Sequence, residues 1–323
     1  RRRQRTAAAM GPALGCLPRM CERERSPRRR AAAGAPCADV VVKIGGSACT
    51  KKAQFETLND EALGASAKQL GKLKAEGVRM AVIHGAGSFG HQYAREYGVS
   101  KGIGPDGDPA YPLSDRLLEG AAKTRLSVTT LNKHVITALI ASGVPGMTIS
   151  PCPFIDTERK KLSESQLPQA AVDGTVELLK RGLVPVVHGD VVLDRAQGTA
   201  ILSGDVWMVE LCKELQARSA VFVTDVDGVF TAPPTQPGAA LVREIFVDPK
   251  SGELELPGVS MDCASHDVTG GLKAKLESAA EVLLRAPSVE AVYIVRAGSE
   301  GAEQALRGRT PDRGTTLRRK KAA

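Results

Sequence analysis

This 323-residue chain has no uninterrupted apolar run near the roughly 20 residues that a bilayer-spanning helix needs, which argues against an integral membrane protein. Its seven cysteines, Cys16, Cys21, Cys37, Cys49, Cys152, Cys212 and Cys263, show neither paired metal-ligand spacing nor a disulfide framework, so a reducing, cytoplasmic setting is expected. No repeat of solenoid length is present. The Walker pattern of glycine, four residues and glycine-lysine-serine is missing, as is the dinucleotide fingerprint. A nucleotide site here belongs to another architecture.

Net charge is also scarce once its location is considered. Residues 1–37 hold ten arginines and two glutamates, which account for the whole formal charge of +8 and leave the rest neutral. Neither a nucleic-acid partner nor a membrane partner is therefore expected. Rich in arginine, alanine and proline and without apolar periodicity, residues 1–37 are expected to be a disordered basic extension. They lack the apolar centre of a secretory signal, and Glu22 and Glu24 disfavour an organelle transit peptide. The chain opens on Arg1, so the segment reads as an inert or artefactual extension, with Met10 and Met20 as alternative starts. The basic end, Arg318-Arg319-Lys320-Lys321, reads as a solvated tail.

What is present is a large α/β pattern. With 42% hydrophobic residues the chain can bury a sizeable core. Apolar, β-branched runs at Val40 to Ile44, Met80 to Ile83, Val184 to Val187, Ala220 to Val223 and Ala291 to Val295 read as buried strands. Amphipathic segments near Gln54 to Glu76, Leu118 to Ser142, Asp205 to Ala217 and Gly271 to Arg285 read as helices. The alternation predicts a mostly parallel sheet covered by helices on both faces, with ligands beyond the carboxyl ends of the strands. Two lobes sharing that sheet are expected, spanning 38–195 and 196–323.

The glycine turns stand at those ends. His84 to His91 (HGAGSFGH) follows the apolar run Met80 to Ile83, and its backbone N–H groups suit phosphate oxygens. A histidine closing the turn adds a charge-assisted donor. Lys43-Ile44-Gly45-Gly46-Ser47 is a second turn, with Lys51 and Lys52 nearby, and Asp267 to Gly271 is a third, with Lys273 and Lys275. Several phosphates gripped at once suit phosphoryl transfer, which depends on positioning and charge neutralisation.

These motifs, with His188-Gly189-Asp190, Ile201 to Asp205 and Thr224 to Phe230, occur in the order seen in the amino acid kinase superfamily. Coverage runs from about Val40 to Leu317, where Gly314 to Leu317 resembles the terminal strand signal. The histidine closing GSFGH is similar to that of the isopentenyl phosphate kinases. The resemblance implies an open αβα sandwich that transfers the γ-phosphate of ATP, with Mg2+, onto an isoprenoid monophosphate. It also implies a homodimer built through the N-terminal, acceptor-binding lobe, with the nucleotide held by the C-terminal lobe.

Residue by residue, the resemblance implies that Lys43 contacts the transferring phosphate and that Gly45, Gly46 and Ser47 form the adjacent nucleotide turn. Lys52 matches a second lysine that stabilises the transition state; without the resemblance, Lys51 and Lys52 read equally well as an exposed helix start. His91 aligns with the histidine that binds the acceptor phosphate, and Ala86, Gly90 and Gly189 with substrate-phosphate positions. Ala86 departs from the usual glycine and is harmless only at negative φ. Asp205 matches an acidic residue aligning the two lysines, and a simple helix N-cap is its bland alternative. Gly87, Thr224, Asp225, Gly228, Phe230, Gly270 and Lys275 match nucleotide-binding positions. His84 reads as a hydrogen-bonded structural histidine. Sequence identifies no magnesium ligands. Alternatives are a kinase of another small phosphate or phosphonate such as fosfomycin, and a catalytically silent nucleotide-binding module.

Overall fold

A computed structural model describes residues 37–103, 113–256 and 270–321. The expected extension therefore lies outside the described residues, as does the turn from Asp267 to Thr269. The described residues form one compact unit.

Its frame is a nine-stranded sheet in the order β13-β12-β15-β14-β9-β1-β2-β6-β3. The central strands β1 (Val40–Ile44), β2 (Met80–His84), β6 (Val184–His188), β9 (Ser219–Thr224) and β14 (Ala291–Arg296) are the five apolar runs expected from sequence, within one residue at each end. Buried on both faces, they carry no alternation to obscure them. β3 (Gly146–Ile149) closes one edge; β12 (Glu244–Val247), β13 (Leu254–Glu255) and β15 (Thr315–Arg319) complete the other. Every pairing is parallel except β12 with β13 and β14 with β15, so the sheet is mostly parallel, as expected. Strands before residue 196 fill one half of this sheet and strands after it fill the other.

Helices cover both faces. One apolar layer joins Val40, Val42 and Ile44 to α2 (Asp60–Ala75), α4 (Asp115–Ala141) and α8 (Glu300–Leu306). The other joins Val41, Ala81 and Phe222 to α5 (Gln169–Lys180), α6 (Gly204–Glu214) and α7 (Gly270–Arg285). Because strand side chains alternate, Lys43 points to the same face as Val41, toward α6.

Four expectations are corrected. The helix expected from Gln54 begins at Asp60, where the Asn59 side chain accepts the Ala62 N–H as its cap. Lys51 and Lys52 therefore lie in a turn after the short α1 (Gly46–Cys49), not at a helix start. Asp205 is not the N-cap of α6; Ser203 caps it, its hydroxyl accepting the Asp205 N–H, which leaves the carboxylate free for other work. The basic end is not a free tail. Arg318 and Arg319 belong to β15, and the Arg319 guanidinium donates to the carbonyls of Leu283, Ala286 and Val289 at the close of α7.

A four-stranded sheet, β5-β4-β7-β8, stands apart from the main one and has no counterpart in the sequence reading. β4 (Asp156–Glu158), β5 (Lys161–Leu162), β7 (Asp190–Asp194) and β8 (Gly198–Leu202) meet around Asp194, whose carboxylate accepts four backbone N–H groups and the Thr157 hydroxyl. Residues 195 and 196 lie in the turn of the β7–β8 hairpin.

Candidate active site

The carboxyl ends of β1, β2, β6 and β9 run out along one edge, and each delivers a glycine or polar turn there. The turns after β1 and β2 interlock. A Cβ on Gly46 would lie 2.7 Å from the Cα of Gly87, and Gly87 itself adopts φ +56°. Only glycine permits this approach and this backbone conformation. Ala86 is absent from the positive-φ residues, so its methyl group is accommodated without strain.

Among the described residues, the N–H groups of Gly46, Ser47, Ala86 and Gly87 donate to no protein acceptor. Four unpaired donors at two adjoining turns form an anion cradle. Gly189 and Gly204 extend it: a Cβ on Gly189 would lie 3.3 Å from the Gly204 nitrogen, and one on Gly204 would lie 3.3 Å from Cε of Lys43.

Charge converges on the same edge. Lys43, only 9% exposed, donates to Asp205 across 2.5 Å, and Ser203 donates to the other carboxylate oxygen at 3.1 Å. Asp225 accepts from Ser47 at 2.7 Å and from Thr224 at 2.9 Å. Burial works to raise the Asp225 pKa, but those two hydrogen bonds and the charge of Lys52 outweigh it and hold the carboxyl below its ordinary value. Lys275 on α7 is lowered by burial first and then by the like charges of Lys52 and Lys43, partly offset by Asp225 and Asp205. Three ammonium groups and two carboxylates thus sense one another across 232 residues of sequence.

The acceptor side is built differently. His91 opens α3 (His91–Glu96); it is exposed, and its ring makes no hydrogen bond among the described residues. Gly90 before it has φ +77° and its N–H is held by the Ser127 hydroxyl on α4 at 2.8 Å. Behind this loop the register partners His84 and His188 stack with ring centres 5.3 Å apart. Burial lowers the pKa of both, and for His188, with the neighbouring His84 ring adding to it, to about 3. Burial thus favours the neutral form of each ring.

Asp190, fully buried, pairs with Arg125 of α4, which also donates to Ser150 and to the Cys152 carbonyl. Burial pushes the Asp190 pKa up to about 6 against the pull of that guanidinium.

Of the residues singled out from sequence, Gly45, Gly46, Ser47, Lys43, Lys52, Ala86, Gly87, Gly189, Thr224, Asp205, Asp225 and Lys275 converge on this edge. Gly228 packs against Thr315, and Phe230 lies in the short strand β10 (Val229–Phe230), paired to β11 (Leu241–Val242). Gly270 begins α7. Sequence reasoning missed Arg125, Asn132 and the importance of Asp190. One signal was available: the dipeptide His-Gly ends two strands, at His84-Gly85 and at His188-Gly189.

Comparison with known proteins gives this geometry a family. The Amino acid kinase family profile matches residues 40–296. An isopentenyl phosphate kinase of Arabidopsis thaliana is 33% identical, the match covering 83% of this chain and 90% of that protein. One of Methanothermobacter thermautotrophicus is also 33% identical, over 83% of this chain and 95% of its own. Among solved structures, an isopentenyl phosphate kinase superposes with a TM-score of 0.65 at 30% identity, covering 86% of this chain and 99% of its own. The product complex of the Thermoplasma acidophilum enzyme gives 0.64 at 26% identity, covering 86% of this chain and 99% of its own. The chain belongs to the amino acid kinase family, in its isopentenyl phosphate kinase group.

Proposed function

We propose that this chain transfers the γ-phosphate of ATP to isopentenyl phosphate, giving isopentenyl diphosphate. The observation that carries the reading is the convergence of Lys43, Lys52 and Lys275 with Asp205 and Asp225 beside a cradle of unpaired N–H groups. Such a site neutralises charge that moves between two phosphates, which is most of what phosphoryl transfer demands.

In this reading Gly45, Gly46, Ser47 and Gly87 cradle the nucleotide phosphates, while Thr224, Asp225, Gly228, Phe230 and Gly270 frame the nucleotide. Lys275 reaches the phosphates from α7. Lys43 and Lys52 follow the transferring group, and Asp205 aims Lys43. Ala86, Gly90 and Gly189 receive the acceptor phosphate, and His91, exposed at the start of α3, donates to one of its nonbridging oxygens. No general base is needed, since a phosphate monoester, with a second pKa of about 6, is already largely ionised near neutral pH.

Among the described residues no group of three or more His, Cys, Asp or Glu could hold a metal ion. Mg2+ keeps several waters and binds largely through substrate phosphates, so it would be held by the nucleotide's oxygens and would supply charge neutralisation there.

The apolar tail has a nearby candidate home, the cluster of Val99, Leu117 and Val191 with Tyr97, Ile103 and Leu113. A homodimer is proposed through the outer face of α4, which exposes Leu126 and Ile140, and the neighbouring edge strand, which exposes Met147. The free cysteines suit a cytoplasmic setting.

Purified protein given ATP, Mg2+ and, in separate arms, isopentenyl phosphate, dimethylallyl phosphate or fosfomycin tests the proposal. Turnover of the isoprenoid phosphates is expected. Turnover of fosfomycin alone, or of none, rejects it.

A further inference from the structure

The two His-Gly dipeptides do the same thing at neighbouring strand ends. The Nδ1 atom of His84 lies 3.2 Å from the carbonyl oxygen of Gly85, and that of His188 lies 3.1 Å from the carbonyl oxygen of Gly189. A carbonyl only accepts, so each ring carries its proton on Nδ1. In the neutral ring Nε2 is then an acceptor. At His84 it lies 3.1 Å from the side-chain oxygen of Asn132, whose nitrogen lies 2.7 Å from the Thr148 hydroxyl, so an Nδ1–H ring requires that amide to be turned over, its NH2 toward Nε2 and its oxygen toward Thr148. At His188 it has no partner among the described residues, although the residue is fully buried. Among the described residues the Gly189 carbonyl is therefore the hydrogen-bond partner of the His188 ring, with the Asp190 carboxylate farther off, 4.0 Å from Nδ1.

We propose that His84 and His188 are positioning residues, paired latches that hold two glycine carbonyls turned inward, away from the acceptor-phosphate site. The inference rests on the function proposed above. Across a trans peptide the C=O and the following N–H point in opposite directions. With the Gly85 carbonyl drawn onto the His84 ring, the Ala86 N–H faces the other way, and that N–H has no acceptor among the described residues. A flip of this peptide would replace a donor by a carbonyl lone pair and repel a phosphate oxygen. Glycine offers little steric resistance to such a flip, so a side chain must supply it. At Gly189 the latch holds the carbonyl on the His188 ring, in a glycine whose Cβ would lie 3.3 Å from the Gly204 nitrogen. The stack of the two rings couples the latches, and Asn132 anchors the pair to α4.

Amide isosteres separate the latch from mere filling of the core. Asparagine places an N–H where Nδ1 stood, and glutamine places one near Nε2. The acceptor KM of His188→Asn and His84→Asn should stay within about threefold of wild type, whereas the Gln variants should raise it by about tenfold or more, the effect of one unmade hydrogen bond in a buried site. The KM for ATP should not move in any of the four. Equal acceptor KM values for Asn and Gln, or parallel rises in both KM values, would overturn the latch. If wild type turns over no isoprenoid monophosphate, the functional reading fails by itself, and the ring 15N shifts of the unliganded protein still decide this inference. Nδ1–H tautomers at both histidines support it; an Nε2–H tautomer at either overturns it.

Discussion

Asp205→Asn offers a severe test of the charged cluster, because it deletes one charge while keeping the shape and an acceptor oxygen. Lys43 is nine-tenths buried and the ion pair spans 2.5 Å. Charges whose centres lie about 4 Å apart attract by about 4 kcal/mol at an effective dielectric of 20. Most of that is offset by desolvation in the intact pair, but removing one partner of a buried pair typically costs about 3 to 5 kcal/mol, because the other charge stays behind. Asp205 is 29% exposed, and an asparagine oxygen still accepts from Lys43, which returns about 1 kcal/mol. A net loss of about 2 kcal/mol is expected, or about 5 °C in Tm for a domain of this size.

ATP should narrow the difference. With Asp205 gone, Lys43, Lys52 and Lys275 repel one another with less compensation, and a bound polyphosphate supplies the missing negative charge. The variant's Tm deficit should therefore shrink at saturating nucleotide, while kcat falls by about 100- to 1000-fold because Lys43 is no longer aimed. Differential scanning fluorimetry with and without ATP, with steady-state kinetics, gives both readouts. A kcat within threefold of wild type, or a deficit that widens with ATP, would refute the reasoning.

Gly87→Ala should abolish turnover and cost about 1 to 3 kcal/mol, since φ is +56° and the new Cβ would lie 2.0 Å from the Thr50 hydroxyl; normal activity would show that the turns do not interlock in use. Arg319→Met strips three carbonyls at the close of α7 of a charged donor, and urea unfolding should show a loss of about 2 to 3 kcal/mol. Stability should also fall in acid with a definite signature. His188, lowered from 6.5 to about 3, contributes stability that is full above pH 6.5 and is lost as pH falls toward 3. Asp190, raised from 3.8 to about 6, acts oppositely, favouring the folded state as pH falls from 6 to 3.8. Asp190→Asn should therefore steepen the acid decline of Tm between pH 6 and 4, and a shallower decline would contradict the assignment.

The parts of the fold legible in sequence are those where one physical demand dominates. β1, β2, β6, β9 and β14 are buried on both faces, so unbroken Val and Ile runs mark them. Glycine turns follow because a sheet edge that binds anions needs bare backbone. The β7–β8 hairpin escaped notice because Val191, Val192 and Leu193 are consecutive apolar residues of which Leu193 is exposed, which blurs any period of two. Asp205 illustrates a different limit. Its position in the first turn of α6 was readable, but only the partner 162 residues away distinguishes a lysine aligner from a cap. Arg125 and Asn132 stayed hidden within a 27-residue amphipathic helix, where nothing local tells which polar residues turn toward the sheet edge.

The rigidity of the cluster comes from places that bear no resemblance to an active site. Asp205 and Lys275 sit on different helices, α6 and α7, and would drift if those helices slid. A buried Glu210 on α6 is held by Arg285 on α7 at 2.5 Å, and the Ser278 hydroxyl of α7 reaches the Asp205 carbonyl at 3.5 Å. Arg319 ties the end of α7 to β15, which pairs with β14, itself paired with β9. Lys43 needs no such bracing, because the pleat of β1, paired on both sides, fixes its direction. Two helices bolted to each other and to the sheet thus carry one carboxylate and one ammonium to a strand that carries the second ammonium. The geometry that phosphoryl transfer requires is set by these distant clamps as much as by the groups that meet the phosphates.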